Sequence, residues 1–480
     1  MLFNSLEFIF LFLPLAVLVY FILNKTGPSV LPKLWLTAAS LFFYAWASIL
    51  YLPLITGSIL ANYSLGRVLA DIARPKRKTI LTLGIIANVA LLGYFKYANF
   101  FIANTNALLA TDIKPLALAL PVAISFFTFQ QIAYLVDTYR GQAGEKALLD
   151  YAMWVVFFPQ LLSGPIVRFR ETMPQFQDGP KKPDYENISR GLYLFFIGLF
   201  KKTIIADTLA IWANHGFNAP NSLTLVEAWI TSLAYTMQLY FDFSGYTDMA
   251  IGIALMLNIK LPLNFTSPYR SLSIQEFWRR WHITLSRFLR DYIYIPLGGN
   301  RRGDIRLYCN LVITFLIGGL WHGAGWTFVF WGFLHGMGLV VNRLWRKTGL
   351  ALNRTLAWFL TFNFVNIAWV FFRARSFSDA LSVLAGMAGL NGLVPAGFIS
   401  SWAGASGRWL AEAGKFVPSD LPAAILLLVL CMVLVLLTPN SIELKDRFKP
   451  GLVTAVFTIV LALLAITSLT GVSQFLYFNF

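Results

Sequence analysis

The chain has 480 residues, 58% of them hydrophobic and 12% charged, against about 45–50% and about 25% in ordinary soluble domains. With a mean hydropathy of +0.65, the apolar surplus is too large for one water-soluble core, which all but excludes a soluble monomer and requires lipid to cover most of it. The formal charge of +16 lies in short clusters between apolar runs instead of on one face, so nucleic acid is not the expected partner.

The expected fold class is all-α, a polytopic integral membrane bundle. Backbone groups in hydrocarbon must bond within their own segment, and the apolar runs are too long and too unalternating for barrel strands. The first run, 8–23, has no basic residue before it and no small-residue cleavage pattern, and Lys25 follows it. It reads as a retained helix with its amino terminus outside and Lys25 inside. Further spans or half-spans are expected at 34–54, 55–70, 80–97, 116–136, 153–167, 192–210, 225–240, 249–263, 307–320, 326–341, 357–372, 423–437 and 452–469. Several fall short of the roughly 20 residues of a full crossing, which predicts tilted, broken or re-entrant helices in the middle.

Most basic clusters, among them Lys201 with Lys202 and Arg343 with Arg346 and Lys347, read as topology signals beside anionic headgroups. Cys309 and Cys431 read as packing residues, and no cysteine or histidine spacing supports a metal site. The stretches 175–186 and 389–422 read as loops. No repeat or soluble domain of useful size is visible, so 1–480 reads as a single membrane-embedded domain with a polar core region at 239–336 and a variable loop at 389–422.

In that core region LYFDFSGYTDM, from Leu239, sets Asp242 and Asp248 among aromatics. Projected at about 100° per residue, the segment 274–292 forms one amphipathic helix. Its flank carries Gln275, Arg279, His282, Ser286 and Arg290, with Arg280 and Arg287 on the opposite side from the apolar face. An interfacial helix with snorkelling arginines accounts for this pattern. A phosphate-bearing ligand on Arg279, Arg290, Arg301 and Arg302 accounts for it equally well.

The run that follows, 311–341, holds no Asp, Glu, Lys or Arg but does hold His322 and His335, two of four histidines in the chain. Ionisable groups in such a stretch are costly enough to raise the suspicion of function, although a hydrogen-bonded structural histidine is the standing alternative. Gly318, Gly319, Gly323 and Gly325 around His322 remove bulk and let a backbone or a substrate approach closely. A neutral imidazole in such surroundings can accept a proton, so general base is its natural role. Asp242, Asp248, Glu276 and Asp291 are each able to orient a histidine.

These residues resemble the membrane-bound O-acyltransferases, within them the bacterial alginate O-acetyltransferase-like branch. The resemblance is carried by MLFNSLEFIFLFLPL at the start, LGYFKYANF from Leu92, FFPQLLSGPIVRFRE from Phe157, LYFDFSGYTDMAIG from Leu239, EFWRRWHITLSRFLRDYIYIPLGGNR from Glu276 and GGLWHGAGWTFVFWGFLHG from Gly318. It extends to WVFFRA from Trp369 and FLYFNF from Phe475. The resemblance implies a ring of helices around a thinned centre, with a channel where a cytoplasmic acyl donor meets an acceptor from the opposite side. It matches His322 to the family's active-site histidine, His282 to an upstream Asn-or-His position and His335 to a second histidine of less defined role.

The implied activity is acyl transfer from a thioester, acetyl-CoA, to a hydroxyl of an exported polysaccharide, alginate-like, at the bacterial inner membrane. Periplasmic polysaccharide-acetylation proteins are the implied partners, and no bound cofactor is implied. Here His322 accepts the hydroxyl proton and His282 positions or polarises the donor. D-alanyl transfer to teichoic acid from a carrier-protein thioester is a second reading. A transporter whose polar residues line a permeation path, or a structural scaffold, are readings from other classes.

Overall fold

The computed structural model describes residues 1–144, 147–177, 181–395, 420–469 and 475–476. Among these the regular structure is entirely helical. Helices satisfy their own backbone groups, which is what hydrocarbon surroundings demand. Six are long and apolar enough to cross a membrane: Phe8–Thr26, Val30–Ala47, Ile49–Ala70, Arg77–Leu109, Asp304–His322 and Arg354–Arg373. Their outward faces carry large apolar side chains such as Leu11, Leu83, Phe101 and Phe359, all more than half exposed. The chain is therefore an all-α, multi-pass membrane protein.

Several boundaries differ from the sequence expectation. The runs 225–240 and 249–263 are not separate spans, because one 32-residue helix, Leu225–Met256, includes both Asp242 and Asp248. Both carboxylates are buried in protein, so the polar stretch needs no break to reach water. The run 80–97 belongs to a longer helix, Arg77–Leu109, which passes through a π-helical turn at Gly93–Tyr97. Residues 110–121 of the region expected as a span from 116 are not helical, and the helix there is Ile124–Tyr139. Cys431 is buried as expected, but Cys309 is exposed on the outer face of its helix. Most of the loop expected at 389–422 lies outside the described residues.

The chain divides into two compact units, Met1–Leu199 with Tyr246–Leu263 and Phe448–Phe480, and Phe200–Gly245 with Asn264–Arg447. In the first unit, Asn62 and Asn88 exchange reciprocal carboxamide hydrogen bonds of 3.2 and 2.7 Å, and Gln131 donates to Ser58 Oγ at 2.9 Å. Such polar pairs hold helices together where lipid competes for apolar contacts. Phe3, Phe8, Phe43 and Phe158 form an aromatic cluster that pins the amino-terminal segment.

The second unit contains every candidate site residue of the core region except Asp248. It centres on a hairpin of two helices, Asp304–His322 and Trp326–Lys347, joined across Gly323–Gly325. Glycine sets their approach. A Cβ on Gly319 would lie 2.2 Å from the Phe328 carbonyl oxygen, and one on Gly332 would lie 2.2 Å from that of Phe315. Any larger residue at either position would push the two backbones apart.

Candidate active site

The segment expected as one helix over 274–292 breaks in the structure. A first helix, Ile274–Arg280, is capped by Ser273, whose side chain accepts from the Glu276 N–H. The Glu276 carboxylate in turn accepts from the Leu272 N–H at 2.8 Å, one residue before the cap. Trp281 is extended, His282 is left-handed with φ 42° and ψ 55°, and a second helix, Ile283–Leu289, begins after it. A non-glycine residue in that region stores strain, which persists only where the surroundings hold it.

The surroundings of His282 are specific. Its Nδ1 lies 3.0 Å from Asn264 Oδ1, and the same oxygen accepts from Thr284 N–H at 3.3 Å and Thr284 Oγ1 at 3.0 Å. The Phe243 ring meets the imidazole edge-on at 4.8 Å. His282 lies outside the six membrane-length helices and is 0% exposed, and burial lowers its pKa to about 3, which keeps it neutral at physiological pH. The helix break thus moves His282 off the cationic stripe where the single-helix projection placed it.

His322 ends the helix Asp304–His322 and is 4% exposed. Its ring is flanked by Trp321, Trp331 and Phe372 at 4.9, 5.1 and 5.1 Å. The His282 ring centre lies 6.5 Å away. Two imidazoles forty residues apart in sequence therefore lie in one buried aromatic cluster. His335 occupies a different position. Its Nδ1 accepts from Trp278 Nε1–H at 3.2 Å, and its ring packs against Trp331 at 4.7 Å and Phe364 at 5.7 Å. Because indole nitrogen only donates, the proton of neutral His335 sits on Nε2. That atom is buried and has no hydrogen-bond partner among the described residues.

Three of the four candidate carboxylates pair with cations. Asp242 pairs with Lys202 Nζ at 2.8 Å, and the same ammonium reaches Asp207 at 2.7 Å. Lys202 is buried, so it is an internal counter-ion and not the topology signal its sequence setting suggested. Glu276 pairs with Arg280 at 2.8 Å and accepts from the Leu272 N–H. Asp291 receives Arg290 at 2.6 and 3.2 Å. Asp248 is buried in the first unit.

Three of the remaining candidates, Arg279, Ser286 and Arg290, line a cleft of about 690 Å³. Its walls include Gln275, Arg279, Ser286, Arg287 and Arg290 from the two short helices, and Asn342, Arg343, Arg346 and Lys347 from Trp326–Lys347. Ser286 Oγ is buried there without a hydrogen-bond partner among the described residues. Arg287, projected away from this flank, comes onto the wall because the break rotates the second helix. Arg301 and Arg302 are exposed on the neighbouring turn and are not on its wall. Arg343, Arg346 and Lys347, read from the sequence as topology signals, also line the cleft, and their 3–4-residue spacing puts them on one helical face. Asn264 carried no signal at all, since a lone Asn in PLNF has many bland uses.

Residues 79–378 match the family model of the membrane-bound O-acyltransferases. The chain is 53% identical over 425 residues to a peptidoglycan O-acetyltransferase of Helicobacter pylori, covering 82% of this chain and 81% of that one. It is 43% identical over 398 residues to a probable alginate O-acetylase of Pseudomonas putida, with 81% and 80% covered. A teichoic acid D-alanyltransferase of Bacillus subtilis is 28% identical over 275 residues, with 53% and 69% covered.

Proposed function

This chain belongs to the membrane-bound O-acyltransferase family, and from that premise we propose that it transfers acetyl from cytoplasmic acetyl-CoA to a hydroxyl of an exported glycan at the bacterial inner membrane. The observation that carries the reading is the buried pair His282 and His322, 6.5 Å between ring centres. In the reaction the hydroxyl oxygen attacks the thioester carbonyl carbon while His322 takes its proton. The C–S bond then breaks, and the thiol leaves with that proton, so no acyl-enzyme is needed. Cys309 and Cys431 are both remote from the pair in sequence and stand outside this scheme.

The cleft supports the donor assignment. Six cationic side chains, Arg279, Arg287, Arg290, Arg343, Arg346 and Lys347, line it, a density suited to the phosphates of a nucleotide-bearing thioester. Its volume, about 690 Å³, falls within the range of small-molecule sites, about 300–1,000 Å³. For the acceptor, 53% identity to a peptidoglycan O-acetyltransferase against 43% to alginate O-acetylases favours a cell-wall glycan. An alginate-like exopolysaccharide is the second reading. D-alanyl transfer is disfavoured by identities of 26–28% over about half the chain.

The test is turnover of radiolabelled acetyl-CoA by the protein in proteoliposomes, with peptidoglycan strands or alginate supplied on the opposite side. CoA release with label on the glycan is expected. Solute movement without thioester consumption would make the protein a transporter, and full turnover by His322→Ala would remove His322 from the chemistry.

A further inference from the structure

Asn264 is joined to His282 by a bond whose direction can be deduced. Three groups meet at its Oδ1: Thr284 N–H at 3.3 Å, Thr284 Oγ1 at 3.0 Å and His282 Nδ1 at 3.0 Å. A backbone N–H only donates, so the atom facing it is the carbonyl oxygen and the amide cannot be flipped. The oxygen has no proton to give. His282 Nδ1 must therefore carry the hydrogen, and in a neutral imidazole the lone pair is then on Nε2.

The arrangement has a cost that marks it as more than packing. Asn264 is 1% exposed, and its Nδ2 has no hydrogen-bond partner among the described residues. The amide leaves two N–H groups unused while its oxygen collects three donors. A buried amide normally satisfies both ends, so the site is organised around the acceptor end. Its beneficiary, His282, is held at a left-handed φ of 42°, which Thr284 on the next turn helps to maintain.

We propose that Asn264 is a positioning residue that locks His282 as the Nδ1–H tautomer, so that His282 serves in the active site as a hydrogen-bond acceptor at Nε2 and not as a donor polarising the thioester carbonyl. This refines the role of His282 and rests on the acyl-transfer reading only for its kinetic consequence. The His282 and His322 ring centres lie 6.5 Å apart, and because the proton of the attacking hydroxyl passes to His322, the hydrogen bond that His282 Nε2 accepts comes from a second donor on the substrates.

Two measurements test this. In protein labelled with ¹⁵N-histidine, the His282 signals, assigned by their loss in His282→Asn, should report protonated Nδ1 and bare Nε2. Asn264→Leu should abolish that single tautomer, whereas Asn264→Asp, which keeps an acceptor for all three donors, should preserve it. In acetyl-CoA turnover, Asn264→Leu should lower kcat at least tenfold with donor KM unchanged, and Asn264→Asp should recover most of the loss. Thr284→Val, which removes one of the donors aligning Asn264, should lower kcat less.

A bare Nδ1 in the wild-type spectrum overturns the proposal. So does an Asn264→Asp protein, inserted in membranes at wild-type level, that is as slow as Asn264→Leu. The spectrum stands apart from the reaction: absence of turnover in the wild type would end the acyl-transfer reading and leave the tautomer result intact.

Discussion

His322 and His335 sit in one uncharged, glycine-rich stretch and have nearly the same sequence surroundings, yet the structure gives them opposite situations. His335 is held by Trp278 at Nδ1 and stacked among rings on all sides, with 0% exposure. His322 stands at a helix end beside Gly323, facing a second imidazole. The lesson is that two buried histidines with similar local composition can be held in quite different settings, which only their neighbours in space reveal. A nitrogen that already accepts an indole N–H has no lone pair left for a substrate proton.

The contrast is broken or sharpened by four experiments. The largest effect is expected from His322→Ala, which should reduce acetyl transfer about 10²–10⁴-fold, the usual worth of a general base, at unchanged membrane insertion. If activity stays within a few fold, the two histidines are alike after all. Next is Gly319→Ala. Its Cβ would meet the Phe328 carbonyl at 2.2 Å, so the hairpin that places both histidines around Trp331 must open, at a cost of about 2–3 kcal/mol. A lowered thermal midpoint in detergent, with reduced turnover, is the readout.

His335→Phe should separate structure from chemistry. The ring stack survives and the orphaned Nε2 disappears, but Trp278 N–H loses its acceptor, so stability should fall by about 1–2 kcal/mol. Turnover of the folded fraction should stay within about threefold. A loss comparable with that of His322→Ala would place His335 in the reaction. The smallest effect is expected from Arg343→Ala on the cleft wall. This exposed charge should raise donor KM about three- to tenfold at low salt and less at high salt, because screening weakens exposed charges. An unchanged KM would move the donor phosphates elsewhere, toward Arg301 and Arg302.

The residues of the candidate site could be named from the sequence, but their arrangement could not. His322 and His335 stood out because ionisable residues in uncharged apolar runs are rare and costly, and His282 as the histidine on the amphipathic segment 274–292. Arg279 and Arg290 stood out by helical spacing, and both do line the cleft. The projection erred at Trp281 and His282, where an extended and then a left-handed residue end one helix and start another. No Pro or Gly marks that break. It is maintained by long-range bonds, Thr266 N–H to Arg280 O at 3.0 Å and Ile283 N–H to Asn264 O at 3.0 Å, which a local pattern cannot contain. Lys202 was misread for a similar reason: its partner Asp242 becomes a neighbour only after folding.

The sequence alone determined the solvent, the helical class and the family. Those depend on composition and on long local blocks, and an apolar surplus this large has few physical outcomes. Tertiary structure decided which candidates lie together. It set His282 beside His322, gave Trp278 to His335, tied Asp242 to Lys202 and gathered arginines from separate helices around one cleft. Chemistry of this kind depends on distances of a few ångströms between residues tens of positions apart, and those distances exist only once the helices have packed.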